Sequence, residues 1–345
     1  MRNQRSLVAA AGIAALLISA GSAQAATKQV TIGPAKPLAG VPPVAFDADF
    51  YPRKLTIAKG DHVRLKWTTG FGDVVFVPKG TDPIPFAVPA GTVADAKDEA
   101  GADMWFNGQP SLAPNMAGLT PQGGKVIDGS KTVSSGFALD GPQKPWRVRF
   151  PKAGTYRLTS VFHPSKQLKV VVKKGRKGVP GKKADKRRLA KQVKASTKLA
   201  KKLTAFEGPK GNVVRAGNDA EAIAQIAFFP ARKTVEVGDT VTFEMSKESI
   251  EIHNIAFGPK QYLDSKPFLG PVLDPFVVYR SDAPGTAVSF DGSNHGNGYF
   301  NTGILDADAA SPFPSKDSVT FTKAGTYPYY CAVHGNDMAG EIVVQ

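Results

Sequence analysis

Cysteine is almost missing from this chain: there is one, Cys331, in 345 residues. No intrachain disulfide can form, so the fold must be held by its own core, and the lone thiol needs a separate explanation. Histidine is scarce as well. There are five, and no two stand as His-x-His, so polynuclear metal clusters built from such pairs are excluded. Beyond residue 25 no apolar run is long enough to cross a bilayer.

The first residues have a different character. Arg2 and Arg5 precede an apolar, small-residue run from Leu7 to Ile18, and Ala23-Gln24-Ala25 supplies an A-x-A pattern. Residues 1–25 read as a secretory signal peptide cut before Ala26. The mature protein is then expected in the periplasm, outside the cell or at the cell envelope, with no transmembrane segment. No cysteine stands at the cut to carry a lipid.

The net charge of +15 is localised. Lys173 to Lys202 holds fourteen Lys or Arg and one acid, Asp185, while the flanking regions are near balance. This stretch opens with Gly175, Gly178, Pro180 and Gly181 and then turns helical in pattern. Leu189, Val193, Leu199 and Leu203 recur at helical spacing among lysines. It divides the chain into an N-terminal domain (26–172), a basic, partly helical linker (173–210) and a C-terminal domain (211–345). The helix is expected to connect the domains, its apolar stripe packed on one of them. An anionic envelope surface is a possible partner for residues 173–202. Nucleic acid is not expected for an exported protein.

The two flanking halves repeat each other. Phe50-Tyr51-Pro52 and Gly60-Asp61 match Phe228-Phe229-Pro230 and Gly238-Asp239 at the same interval, and Lys152-Ala153-Gly154-Thr155-Tyr156 matches Lys323-Ala324-Gly325-Thr326-Tyr327. Apolar residues alternate with polar ones on either side of each Gly-Asp, which reads as a β-hairpin with one buried face. No helix is evident inside either half. The fold class is all-β: two β-sandwiches.

The second half carries a concentrated chemistry. Tyr329-Tyr330-Cys331-Ala332-Val333-His334-Gly335-Asn336-Asp337-Met338 places Cys, His and Met within eight residues, and His253-Asn254 lies upstream. Two imidazoles, a thiolate and a weak thioether are the ligands of a type 1 (blue) copper site. Thiolate and thioether favour Cu(I) while imidazole accepts both oxidation states. Zinc would use more Cys or His and has little use for methionine. On a strand, Tyr327, Tyr329 and Cys331 share a face, and a loop from His334 to Met338 would return the other ligands.

The residues Val237-Gly238-Asp239-Thr240-Val241, His253-Asn254 and Tyr329 to Gly340 resemble the cupredoxins, the plastocyanin and azurin superfamily. The resemblance covers 225–345 well and 45–173 more loosely. It implies Greek-key sandwiches and one copper held by His253, Cys331 and His334, with Met338 axial. It also implies that Asn254 fastens the ligand loops. Carried onto the first half, it puts Gly72 in place of the first histidine, Ser160 in place of the cysteine, His163 on His334 and Gln167 on Met338. The first domain is therefore expected to keep the fold without the copper. His62 and His295 are expected to be surface residues.

The resulting expectation is an exported electron-transfer protein, not an enzyme, cycling Cu(I) and Cu(II) through an exposed His334 and serving an unidentified redox partner. A copper carrier or store would use the same ligands. An envelope binding module with a redox domain is also open. A two-domain copper enzyme of the nitrite reductase kind needs three further histidines together, and nothing places His62, His163 and His295 side by side.

Overall fold

The computed structural model describes residues 24–42, 45–68, 72–138 and 141–345. Most of the expected signal peptide, residues 1–23, lies outside the described residues.

Each half is a pair of sheets. In the first, Trp146–Arg149, His62–Trp67, Thr27–Ile32 and Phe50–Tyr51 form one sheet in that order; Lys54–Ala58, Leu168–Lys173, Gly154–Thr159, Val75–Phe76 and Val133–Ser134 form the other. In the second, Phe228–Phe229, Val213–Ala216, Thr240–Met245, Lys316–Phe321 and Val288–Phe290 face Arg232–Val235, Gly335–Val344, Gly325–Cys331, Ala256–Phe257 and Phe300–Asn301. The connections repeat: Thr27–Ile32 runs parallel to His62–Trp67 as Val213–Ala216 does to Thr240–Met245. Likewise Lys54–Ala58 runs parallel to Leu168–Lys173 as Arg232–Val235 does to Gly335–Val344.

Alternation drives this arrangement. In His62–Trp67 the residues Val63, Leu65 and Trp67 are buried, and in Thr240–Met245 so are Val241, Phe243 and Met245. The turns at Gly60-Asp61 and Gly238-Asp239 are not hairpins, however. The strands on either side enter opposite sheets. Two strands with one apolar face each bury more by facing across a core than by lying side by side. The glycines, at φ +89° and +94°, make the corner without steric cost.

The second core is dense in aromatics. Phe257 lies 5.1–5.9 Å, centroid to centroid, from Phe243, Phe290, Phe321 and Tyr329. Each such fully buried ring contributes roughly 1.5–3 kcal/mol from area alone. Short helices also occur inside the halves, at Met116–Leu119, Lys260–Asp264 and Pro275–Val278. Sequence pattern missed them because four or five residues span barely one turn and leave no periodicity to read.

The basic linker forms the helix Lys182–Thr204. Ala200 and Leu203, with Val193 and Leu199, pack on Leu38 and Val41 from the first half and on Ala220 and Ile223 from the second. Its apolar stripe is thus already covered, and its lysines face outward. Gln192 adds polar ties: its amide donates to Asp49 Oδ2 and the Phe50 carbonyl, and its oxygen accepts from the Arg53 N–H. No described helix is long and apolar enough to cross a membrane.

The halves meet elsewhere too. Ala45–Asp47 pairs with Ile223–Gln225 in a small sheet. From the long connection in the first half, the hairpin Ala87–Thr92/Pro110–Pro114 and its tip reach across. Leu273 N–H donates to Leu112 O at 2.8 Å, and the Trp105 indole N–H donates to Arg280 O at 2.8 Å. Phe106 stacks on Tyr279 at 5.7 Å.

Asp61 is wholly buried at its corner. It accepts from the backbone N–H groups of Ala26 and Ala58 at 2.8 and 2.9 Å and from both Arg176 guanidinium nitrogens at 2.6 Å. Burial alone would raise its pKa, but the Ala58 N–H, the Arg176 guanidinium and the Ala26 N–H together hold it below the usual value. A depressed carboxylate stabilises the fold above its unfolded pKa, and that contribution is lost as pH falls through the folded value. Asp61→Asn is expected to cost about 2 kcal/mol at pH 7. The gap from wild type should shrink as pH drops below the ordinary carboxylate range, as read by urea unfolding at neutral and acidic pH.

Candidate metal centre

Cys331 ends the strand Gly325–Cys331, in which Tyr329 and Cys331 both face the core and are fully buried. The chain turns through Ala332–His334 and returns as Gly335–Val344. Cys331 pairs with Gly335 and Tyr330 with Ala339, a register shift that sets a bulge at the sulfur. Met338 therefore lies on the returning strand and not in a loop, and it is fully buried in the same core as Cys331. His253 arrives just before Ala256–Phe257, bridged to Leu305.

The donor atoms converge. Nδ1 of His253 and Nδ1 of His334 are 3.1 Å apart, and the Cys331 sulfur is 3.8 and 3.4 Å from them. Metal–ligand bonds of roughly 2 Å place donors on the order of 3–4 Å apart, so an ion fits at the centre of this triangle. Among the described residues these three are the group of His, Cys and acidic side chains placed to hold a metal.

Two features hold the triangle. Asn254 Oδ1 accepts the Ala332 N–H at 2.7 Å, and its amide donates to Asn301 Oδ1 at 2.9 Å. One side chain thus ties the cysteine turn to the segment bearing His253. Gly217, at φ +70°, makes room on the other side: a Cβ there would lie 2.6 Å from His253 Nε2.

Electrostatics suit a metal-binding thiol. Burial would raise the Cys331 pKa, but His334 and His253 bring it well below the ordinary thiol value. Burial would lower His334, yet Cys331 and then Glu251 lift it to about 10. The sulfur is thus poised as a thiolate, the form a metal needs.

The first half repeats the scaffold without the donors. Asp73 Oδ2 accepts the Val161 N–H at 2.8 Å, doing for that turn what Asn254 does for Ala332, and Ser160 stands where Cys331 stands, donating to Asp73 Oδ1 at 2.5 Å. At Gly72 a Cβ would meet Trp67 Nε1 at 2.9 Å, so the indole fills the space a first histidine would need. Gln167 is exposed.

His163 is buried and points at the other half: its Nε2 lies 2.6 Å from Glu251 Oε1. The second oxygen of Glu251 lies 3.7 Å from His334 Nε2. His334 is therefore not the open imidazole the sequence led us to expect; its side chain is 18% exposed, with a carboxylate against its outer edge. Glu251 escaped sequence reading. Its one signal is an acid between Ile250 and Ile252, two residues before a ligand.

The other two histidines also depart from expectation. His62 sits in the middle of its sheet, flanked by Thr27–Ile32 and Trp146–Arg149, and is half-buried. His295 is wedged between Asp98 and Asp282, at 3.2 and 3.7 Å, because the two long connections meet there.

A buried thiol between two imidazole nitrogens, at one end of a β-sandwich, is the site of a mononuclear type 1 copper protein. Comparison agrees. Residues 215–345 match the model for copper-binding proteins of the plastocyanin/azurin family. Among solved structures, a reduced amicyanin variant is 21% identical, with 41% of this chain and 85% of that chain covered and a TM-score of 0.22. Oxidised plastocyanin from Dryopteris crassirhizoma is 20% identical, covering 39% and 99%, with a TM-score of 0.21. A purple cupredoxin from Nitrosopumilus maritimus is 18% identical, covering 39% and 98%, with a TM-score of 0.22. No curated protein matches the chain.

Gly217→Ala tests the support of His253. The added methyl must push the ring or twist a backbone already at φ +70°. Copper affinity is expected to fall at least tenfold in a competitive chelator titration, with a loss of about 1–3 kcal/mol in stability.

Proposed function

We propose that this protein is an exported blue copper protein that transfers single electrons and does not transform a bound substrate. The observation that carries this reading is the buried triangle of His253 Nδ1, His334 Nδ1 and Cys331 Sγ in a segment of plastocyanin/azurin type. His253, Cys331 and His334 would hold one copper, with Met338 as the weak axial donor. When bound, copper supplies a one-electron Cu(I)/Cu(II) couple.

The protein's contribution is to keep the donors still. The Cys331 turn is pinned through Asn254, His253 lies in a pocket bounded by Gly217, and the sulfur is sealed among buried side chains. Ligands that cannot rearrange lower the reorganisation accompanying electron movement. Residues 1–25 would direct export. The outward lysines of Lys182–Thr204 would favour an anionic envelope surface through charge alone, because the apolar stripe of this helix is packed away.

Purified protein mixed with Cu(II) is expected to bind one copper per chain and turn blue through thiolate-to-copper charge transfer. Cys331→Ser should abolish the colour, and Met338→Gln should keep it while lowering the redox potential. A colourless protein after copper addition, or an unmoved potential in the Met338 variant, would contradict the corresponding assignment.

A further inference from the structure

Glu251 stands between two histidines from opposite halves, Oε1 against His163 and Oε2 toward His334. The three side chains are 16%, 10% and 18% exposed respectively. A carboxylate this enclosed has lost most of its hydration and needs compensating partners to remain there.

His163 is itself firmly placed. Its backbone N–H donates to Ser160 Oγ at 3.2 Å, and Ser160 is anchored on Asp73. The preceding Phe162 packs on Phe86 and Phe137 at 5.1 and 4.9 Å, and Phe86 continues to Phe268 of the second half. Phe86, Ala87 and Leu112 from the first half share an apolar cluster with Ala332 and Val333 of the ligand turn. Apolar side chains of the first half and of the ligand turn thus pack against the same buried cluster, and His163 of the first half reaches the site through Glu251.

His334 turns Nδ1 to the sulfur, so Nε2 faces this carboxylate. At 3.7 Å the contact is an ion-pair distance and not a direct hydrogen bond. A fixed negative charge there favours whichever state of the centre is more positive, which is the oxidised one.

Resting on the copper reading above, we propose that the first half is a lid over the histidine edge of the metal centre. His163 acts as a positioning residue that holds Glu251 against His334; the pair biases the centre toward Cu(II) and closes that edge to redox partners. This gives the half without copper ligands a role at the copper site of the other.

The test is a spectroelectrochemical titration of the copper-loaded full chain. Glu251→Gln, nearly isosteric and uncharged, is expected to shift the Cu(I)/Cu(II) ratio at fixed poise about tenfold toward Cu(I), which is about 59 mV for one electron. His163→Ala should move it in the same direction by a smaller factor and quicken electron exchange with hexacyanoferrate. His163→Gln, which retains an N–H donor, should restore most of the wild-type ratio. If Glu251→Gln and His163→Ala fold, turn blue and keep the wild-type ratio within twofold, the contact is structural only and the proposal falls. If Glu251→Gln does not fold, the His163 pair decides in the same way. A wild-type chain that takes up no copper overturns the functional reading and this inference with it; a blue wild type with unmoved variants overturns this inference alone.

Discussion

The architecture of the second half depends on keeping one sulfur in place, buried and ionisable, at the rim of an aromatic core. A thiolate is costly to remove from water unless charge and hydrogen bonding meet it. Here two imidazole edges meet it at 3.4 and 3.8 Å. Nearly every local oddity serves that arrangement: the bulge that shifts the returning strand, the glycine beside His253, and the asparagine that links two distant segments. Behind them Tyr329 is packed by Phe228, Phe243 and Phe257 at 4.8–5.4 Å, which makes the wall of the site rigid.

The two halves show what happens when the same frame is kept and the sulfur is not. Asp73 and Ser160 preserve the turn geometry with ordinary hydrogen bonds. The Ser160 hydroxyl and the Val161 N–H both end on the Asp73 carboxylate. His163 is buried and turns to Glu251, part of the contact between halves. The long connections, the basic helix and the small sheet from Ala45–Asp47 with Ile223–Gln225 strengthen the same union.

Much of this was legible in the sequence for physical reasons. Alternating apolar residues declared the strands of His62–Trp67 and Thr240–Met245, and the stripe of Val193, Leu199 and Leu203 declared the helix. Cys331, His334 and Met338 declared a soft-metal chemistry because few other sites want those donors together. What stayed hidden depends on the third dimension. Alternation says that a face is buried but not against which sheet, so the Gly-Asp corners looked like hairpins. Strand position decided the burial of His62. His163 meets Glu251 across 88 residues and His295 meets Asp98 across 197, pairings that no local pattern encodes.

The placement of Trp67 has a further consequence. Its indole occupies the volume that a side chain at position 72 would claim, and Gly72 is what allows it to stay. Restoring a histidine there would drive it into the ring; shrinking the tryptophan alone would leave a hole in the core. Each step on its own lowers fitness of the fold before any ligand is gained, and a thiol would still be wanted at Ser160. Room for a larger side chain at position 72 therefore opens only when both positions change together, so the indole and the glycine are locked to one another as a single packing unit.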